Sequence, residues 1–270
     1  TYEERLDKLQ AAEPDATPER MRAMEREARA GGTRNVAYYD FTFSPVKSIS
    51  VLYAAYLAAG DLDSARAVRD AHDQAVKISL SYAEGQVAFT RRGGTANRTY
   101  EQAEGLAAVL FAHHTSREGE PQLHTHAAVL NRAGTADGRI GALDGKGFRA
   151  FKEAIATAYE RAVEQLVTET TGLAFETRPD GVAREVVGMD PALLAESSTR
   201  RGQVTERVRE LVARHRERTG HEPSAAARKA MAQEATYTTR AAKTGLAGPK
   251  AVADVVVMVL TGAAWKIGRA

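Results

Sequence analysis

Two histidines one residue apart, His124 and His126 in PQLHTHAAVL (121–130), and a third eleven residues before them, His113, have the type and spacing that metal chemistry needs. Side chains alternate along an extended strand, so His124 and His126 share one face. A lone H-x-H pair is more often incidental than functional. His113 strengthens the pattern, because it ends an apolar stretch that a short polar loop, SREGEP, joins to the pair, and it lies beside them if the two stretches pair. Three neutral imidazoles form a half-open shell with room for a substrate oxygen or water. His114 competes with His113 for that place, and parity near a strand end does not separate the two. Asp40 has the chemistry to accept a hydrogen bond from a ligand's second ring nitrogen and fix its tautomer.

The elements that must position these residues show in the apolar spacing. Residues 36–43 (VAYYDFTF) alternate, with Ala37, Tyr39, Phe41 and Phe43 on one side and Asp40 on the other, which predicts a strand. Ser44 and Pro45 then read as the cap of a helix running to Ala59, with Lys47 and Ser48 in its first turn. The free N–H groups of that turn make the junction a candidate phosphate site. A helix over 64–83 and strands over 85–92, 105–114 and 122–131 follow. Residues 148–171 carry a helical stripe of Phe151, Ile155, Ala158, Ala162 and Leu166. A turn at Pro179-Asp180-Gly181 predicts a hairpin, and 191–242 reads as basic helix. Thr17 and Pro18 open an earlier helix that ends at Gly31-Gly32. The mixture is α+β.

Composition narrows the chemistry further. The 270 residues contain no cysteine, which excludes disulfides, zinc ribbons and thiol nucleophiles. The formal charge is only +2, but Thr199–Lys250 holds an excess of Lys and Arg, which suggests a phosphate-bearing partner or else a solvated helical surface. The opening TYEERLDKLQ is charged throughout and does not read as a signal peptide. The apolar run near Val255–Trp265 is shorter than the ~20 residues of a membrane span. A cytoplasmic protein without membrane insertion is the expectation.

Two segments, DFTFSPVKS (40–48) and HHTSREGEPQLHTH (113–126), resemble the motifs D-x-T-F-S-x-x-K-S and H-x-x-S-R-x-x-x-P-Q-L-H-x-H of the MobF-class (TrwC/TraI-type) conjugative relaxases, in the HUH endonuclease superfamily. A looser likeness covers about 35–242. The resemblance implies an antiparallel sheet with the histidines on its central strands, flanking helices, and a basic helical region that closes over DNA. It implies a metal-dependent enzyme that nicks and rejoins one strand at an origin of transfer through a tyrosine-DNA phosphodiester. Carried over by position, His113, His124 and His126 are the metal ligands, Asp40 orients one of them, and His114 falls at a variable position.

Magnesium or manganese is then the expected ion, with zinc, nickel or cobalt also suited to the ligands. Arg117 has the geometry for a bidentate phosphate contact. Ser44, Lys47, Arg200 and Arg201 are the further candidate DNA contacts. Hairpin and single-stranded origin DNA are the expected partners, with other relaxosome proteins and a type IV coupling protein beside them. The chain is expected to form one relaxase domain, with a sheet core over 33–190, a basic clamp over 191–250, a helical lead-in over 1–32 and an unassigned tail over 251–270.

One part of the family pattern is displaced. The family's nucleophilic tyrosines precede the Asp-bearing strand, whereas here the preceding segment reads as helix and its one tyrosine before Tyr38 is Tyr2. An N-terminal truncation is therefore expected, and Tyr38 is a weak candidate nucleophile by its parity with Asp40. No Walker P-loop pattern occurs in these residues. A catalytically impaired DNA-binding module and an unrelated three-histidine hydrolase are the rival readings.

Overall fold

The computed structural model describes residues 2–30, 36–93, 97–181, 183–239, 255–261 and 264–269. Helices α1 (Tyr2–Ala12) and α2 (Pro18–Ala30) come first. Thr17 accepts a hydrogen bond from the Arg20 N–H at 3.3 Å, and Pro18 occupies the first helical position, as the sequence predicts. Arg20 bridges Glu13 and Glu27, and the Arg5 side chain donates to the Ala28 carbonyl. The expected stop at Gly31-Gly32 lies outside the described residues. Thr1–Tyr38 form one compact unit and Tyr39–Ala270 a second.

After β1 (Tyr38–Phe43) come α3 (Lys47–Ala59) and α4 (Leu62–Val87), then β2 (Phe89–Arg92) and β3 (Thr99–Gln102) as a two-stranded ribbon. β4 (Ala107–Thr115) and β5 (Pro121–Leu130) follow, with β6 (Ala133–Gly134) and β7 (Ile140–Gly141) making a small pair. Helices α5 (Gly145–Ala150) and α6 (Lys152–Thr171) lead to the hairpin of β8 (Phe175–Thr177) and β9 (Arg184–Val186). The chain continues through α7 (Pro191–Glu196), α8 (Thr199–Thr219) and α9 (Ala225–Thr238), and then β10 (Val255–Thr261) and β11 (Ala264–Arg269).

The main sheet has the order β1-β5-β4-β10-β11, and β4 pairs antiparallel with both β5 and β10. The tail that the sequence left unassigned thus supplies two strands. On β5, Leu123, Thr125, Ala127 and Val129 are buried while His124, His126 and Ala128 are half-buried, and Ala108, Leu110 and Ala112 are the buried set on β4. Those residues meet an apolar layer from α3, α4 and α6 that includes Ile49, Val68, Leu80, Ile155 and Val163. From β1, Tyr39 and Phe41 pack on Phe148, and Phe43 on Tyr159. Burying one such side chain contributes roughly 1.5–3 kcal/mol, so the register of β1, β4 and β5 is fixed from this side.

Two expectations are corrected. Gly85–Val87 belong to α4, not to a strand, because Val87 is 1% exposed and packs close against Gly147, where an added Cβ would stand 3.3 Å from the Val87 Cβ. The helix tolerates Gly85 at a cost of about 1 kcal/mol. Secondly, α3 starts at Lys47 with no side-chain cap from Ser44. In its first turn one N–H is already taken: the Ser48 N–H donates to the buried Glu185 carboxylate at 3.0 Å, and the Ser48 hydroxyl accepts from the Val186 N–H at 3.0 Å.

Candidate metal and nucleic-acid site

The β4–β5 register sets His113 opposite His124 and Phe111 opposite His126. All three histidines lie on the sheet side away from the apolar core. Their ring centres stand 5.0 Å apart for His113 and His124, 5.6 Å for His113 and His126, and 5.3 Å for His124 and His126. An ion about 2.1 Å from each nitrogen would put ring centres about 4.6 Å apart at a right angle and about 5.3 Å apart at the tetrahedral angle. The spacing therefore suits one shared ion. Among the described residues no three His, Asp or Glu side chains stand in finished coordination geometry.

The hydrogen bonds behind the rings fit the same ion. His124 Nδ1 lies 2.9 Å from the Gln122 carbonyl, which can only accept, so Nδ1 carries the proton and Nε2 keeps its lone pair. His126 Nδ1 lies 3.1 and 3.2 Å from the two Asp40 oxygens and 3.1 Å from the Thr42 hydroxyl, which fixes the same tautomer. Burial lowers the pKa of His124, with the nearby His113 and His126 adding to the effect against the Gln122 bond. Burial and His126 lower that of His113. Neutral rings are the form a metal requires. The choice between His113 and His114 resolves here: His114 turns to the helix side, stacked on Tyr53 and 3.2 Å from Arg69.

The loop from β4 to β5 folds around Ser116, whose hydroxyl accepts from the Glu118 and Glu120 N–H groups. Gly119 takes φ +80, where a side chain would be strained. This turn leaves Arg117 exposed. A groove of about 780 Å³ runs past the histidines, and Ser44, Lys47, Arg117, Arg200 and Arg201 all line it. Lys47 donates to the Pro121 carbonyl at 2.9 Å, and burial lowers its pKa against the pull of Glu120 and Glu185. Arg200 donates to the Thr236 carbonyl and Arg201 to Asp180.

Sequence reasoning missed several partners. Glu120 accepts the Thr199 N–H at 2.8 Å and so ties the histidine loop to the start of α8. Its only sequence signal was an acid inside the SREGEP loop. Much of the basic excess on α8 and α9 is matched locally, Arg207 and Arg214 by Glu210, Arg209 by Glu206, and Arg216 and Arg228 by Glu222. Arg201 in the groove is likewise paired, with Asp180, while Arg200 donates to the Thr236 carbonyl. Tyr38 opens β1 and is 54% exposed.

A family profile described as TrwC relaxase matches residues 2–254. The multifunctional conjugation protein TraI of Escherichia coli strain K12 is 39% identical over 101 residues, which is 37% of this chain and 5% of TraI. A second Escherichia coli TraI is 36% identical over a stretch of the same length. This chain thus spans a small fraction of those relatives. Among solved structures, the conjugative relaxase TrwC bound to oriT DNA in a copper-bound form has a TM-score of 0.62 at 27% identity, covering 81% of this chain and 69% of that one. A metal-free TrwC–oriT complex gives 0.63 at the same identity, covering 72% of that chain.

Proposed function

Since the chain belongs to the TrwC relaxase family, we propose that it nicks and rejoins one DNA strand at an origin of transfer, with the histidine groove as its cleavage site. The observation that carries this reading is the meeting of His113, His124 and His126 on one face of the sheet, with Asp40 behind His126. His113, His124 and His126 would hold a divalent ion, magnesium or manganese. When bound, such an ion supplies positive charge to a nonbridging phosphate oxygen as negative charge develops there.

The chain's own residues do the rest. Asp40 and the Gln122 carbonyl hold two imidazoles as Nδ1–H tautomers. Arg117 offers a forked pair of donors to the phosphate, while Ser44, Lys47, Arg200 and Arg201 seat the neighbouring backbone in the groove. In the transfer step a tyrosine oxygen bonds to phosphorus and loses its proton. The P–O3′ bond breaks, leaving a free 3′-hydroxyl and a 5′-phosphotyrosine, and the reverse step rejoins the strand. Tyr38 is the tyrosine to test first, by its parity with Asp40 on β1.

A second reading, hairpin or single-strand binding without cleavage, draws on one observation: among the described residues before β1 the chain forms the helices α1 and α2. Other relaxosome proteins, a coupling protein and a cytoplasmic setting belong to the first reading. The test is a denaturing gel of the chain with labelled single-stranded origin DNA of its own element, with and without Mg²⁺ or Mn²⁺. Cleavage predicts a metal-dependent covalent adduct that persists through denaturation. Salt-sensitive binding with no adduct supports the binding module, and loss of the adduct in Y38F identifies the nucleophile.

A further inference from the structure

Beneath the histidine groove, on the helix side of the same two strands, α4 presents Arg69, His72 and Asp73 on one face, three and four residues apart. His72 is 0% exposed and reaches two hydroxyls, Tyr159 at 2.7 Å through Nδ1 and Thr125 at 2.8 Å through Nε2. A neutral imidazole donates from one nitrogen and accepts at the other, and either hydroxyl can take either role. Thr125, 2% exposed, is the residue between His124 and His126. Arg69 meets His114, the residue after His113, at 3.2 Å and is itself held by Asp73 at 3.3 Å. One helix face thus grips a neighbour of each of the three groove histidines.

We propose that His72 and Arg69 are positioning residues for the metal site: through Thr125 and His114 they fix the rotation of β5 and β4 that brings His113, His124 and His126 together. The apolar neighbours alone set which side each residue faces. Such contacts are not directional and do not fix the angle at which each side chain stands. A short hydrogen bond from His72 to Thr125, the side chain between two ligands, with the ring anchored at its other nitrogen by Tyr159, adds a directional constraint whose geometry tolerates little misalignment. Burial holds the His72 pKa down at about 3, so the ring stays neutral in this network.

The inference rests on the metal-site reading above, and the test separates the two. Mn²⁺ alone is titrated into the full chain and into H72F, H72Q and T125V, with thermal unfolding and origin-hairpin binding measured alongside. In H72F, Mn²⁺ affinity is expected to fall by about tenfold or more, the range of outer-shell changes, with hairpin affinity within about twofold of the parent. H72Q, which keeps a donor and an acceptor, is expected to recover part of that loss. Should H72F fail to fold, T125V, which removes only the hydroxyl end of the bond, decides by the same criterion. Unchanged Mn²⁺ affinity in the folded variants overturns the positioning role and leaves the metal site standing. No Mn²⁺ binding by the parent chain overturns both.

Discussion

On the groove side of β4 and β5, His113, His124 and His126 are half-buried, with His124 and His126 tied to acceptors on β5 and β1. On the helix side of the same strands His72 is sealed between Tyr159 and Thr125. One residue type serves both faces, and the surroundings divide the work. His124 and His126 have a proton fixed on Nδ1, which leaves Nε2 with its lone pair, whereas His72 has both nitrogens engaged. A side chain with both nitrogens hydrogen-bonded inside the protein holds structure. One with a free nitrogen facing a cationic groove is available to a ligand.

Changes on the two faces should separate accordingly. The largest effect is expected on the helix side: L123A removes a side chain that is 0% exposed and should cost about 2–5 kcal/mol, read by urea unfolding. A groove-side change should leave stability nearly intact. D40A is expected to weaken Mn²⁺ binding by about 10–100-fold while changing the unfolding midpoint little, because Asp40 is exposed.

pH sharpens the contrast further. The folded pKa of His72, about 3, lies below the ordinary value of 6.5, so the unfolded chain binds the extra proton. Its contribution to stability is complete above pH 6.5 and is lost as pH falls toward 3. Between pH 7 and pH 5 this group should remove about 2 kcal/mol. His113 and His124 shift in the same direction, so the effect is read as the difference between the parent chain and H72Q. Equal slopes in both would contradict the buried network. The smallest effect concerns the groove rim: the pair R200A and R201A should lower the salt slope of DNA binding by about 1.5, near 0.7–0.9 per phosphate contact, with no change in Mn²⁺ affinity.

Much of the groove face was legible in the sequence, because strand alternation is local. His124 and His126 share a face by parity, Asp40 lies on its predicted strand, and the stripe of Ile155, Ala158, Ala162 and Leu166 marks α6. The helix face was hidden for the opposite reason. Nothing near His72 in the sequence points to Thr125, 53 residues away, or to Tyr159, 87 away, and the Glu185 carboxylate that fills the start of α3 comes from a strand 137 residues later. The choice between His113 and His114 also needed β5, since only pairing with His124 gives that strand end a definite side. The pairing of β10 with β4 has no signal in its apolar run, which suits a buried strand or helix equally.

Whether the three groove histidines act as one metal centre is tested most directly by Mn²⁺ binding followed by electron paramagnetic resonance in the parent chain and in H124A. One Mn²⁺ bound per parent chain, with affinity in H124A reduced by more than the roughly 10–100-fold typical of outer-shell changes and the fold retained, is the expected result. Binding that is absent in the parent chain, or equally tight in H124A, would contradict it.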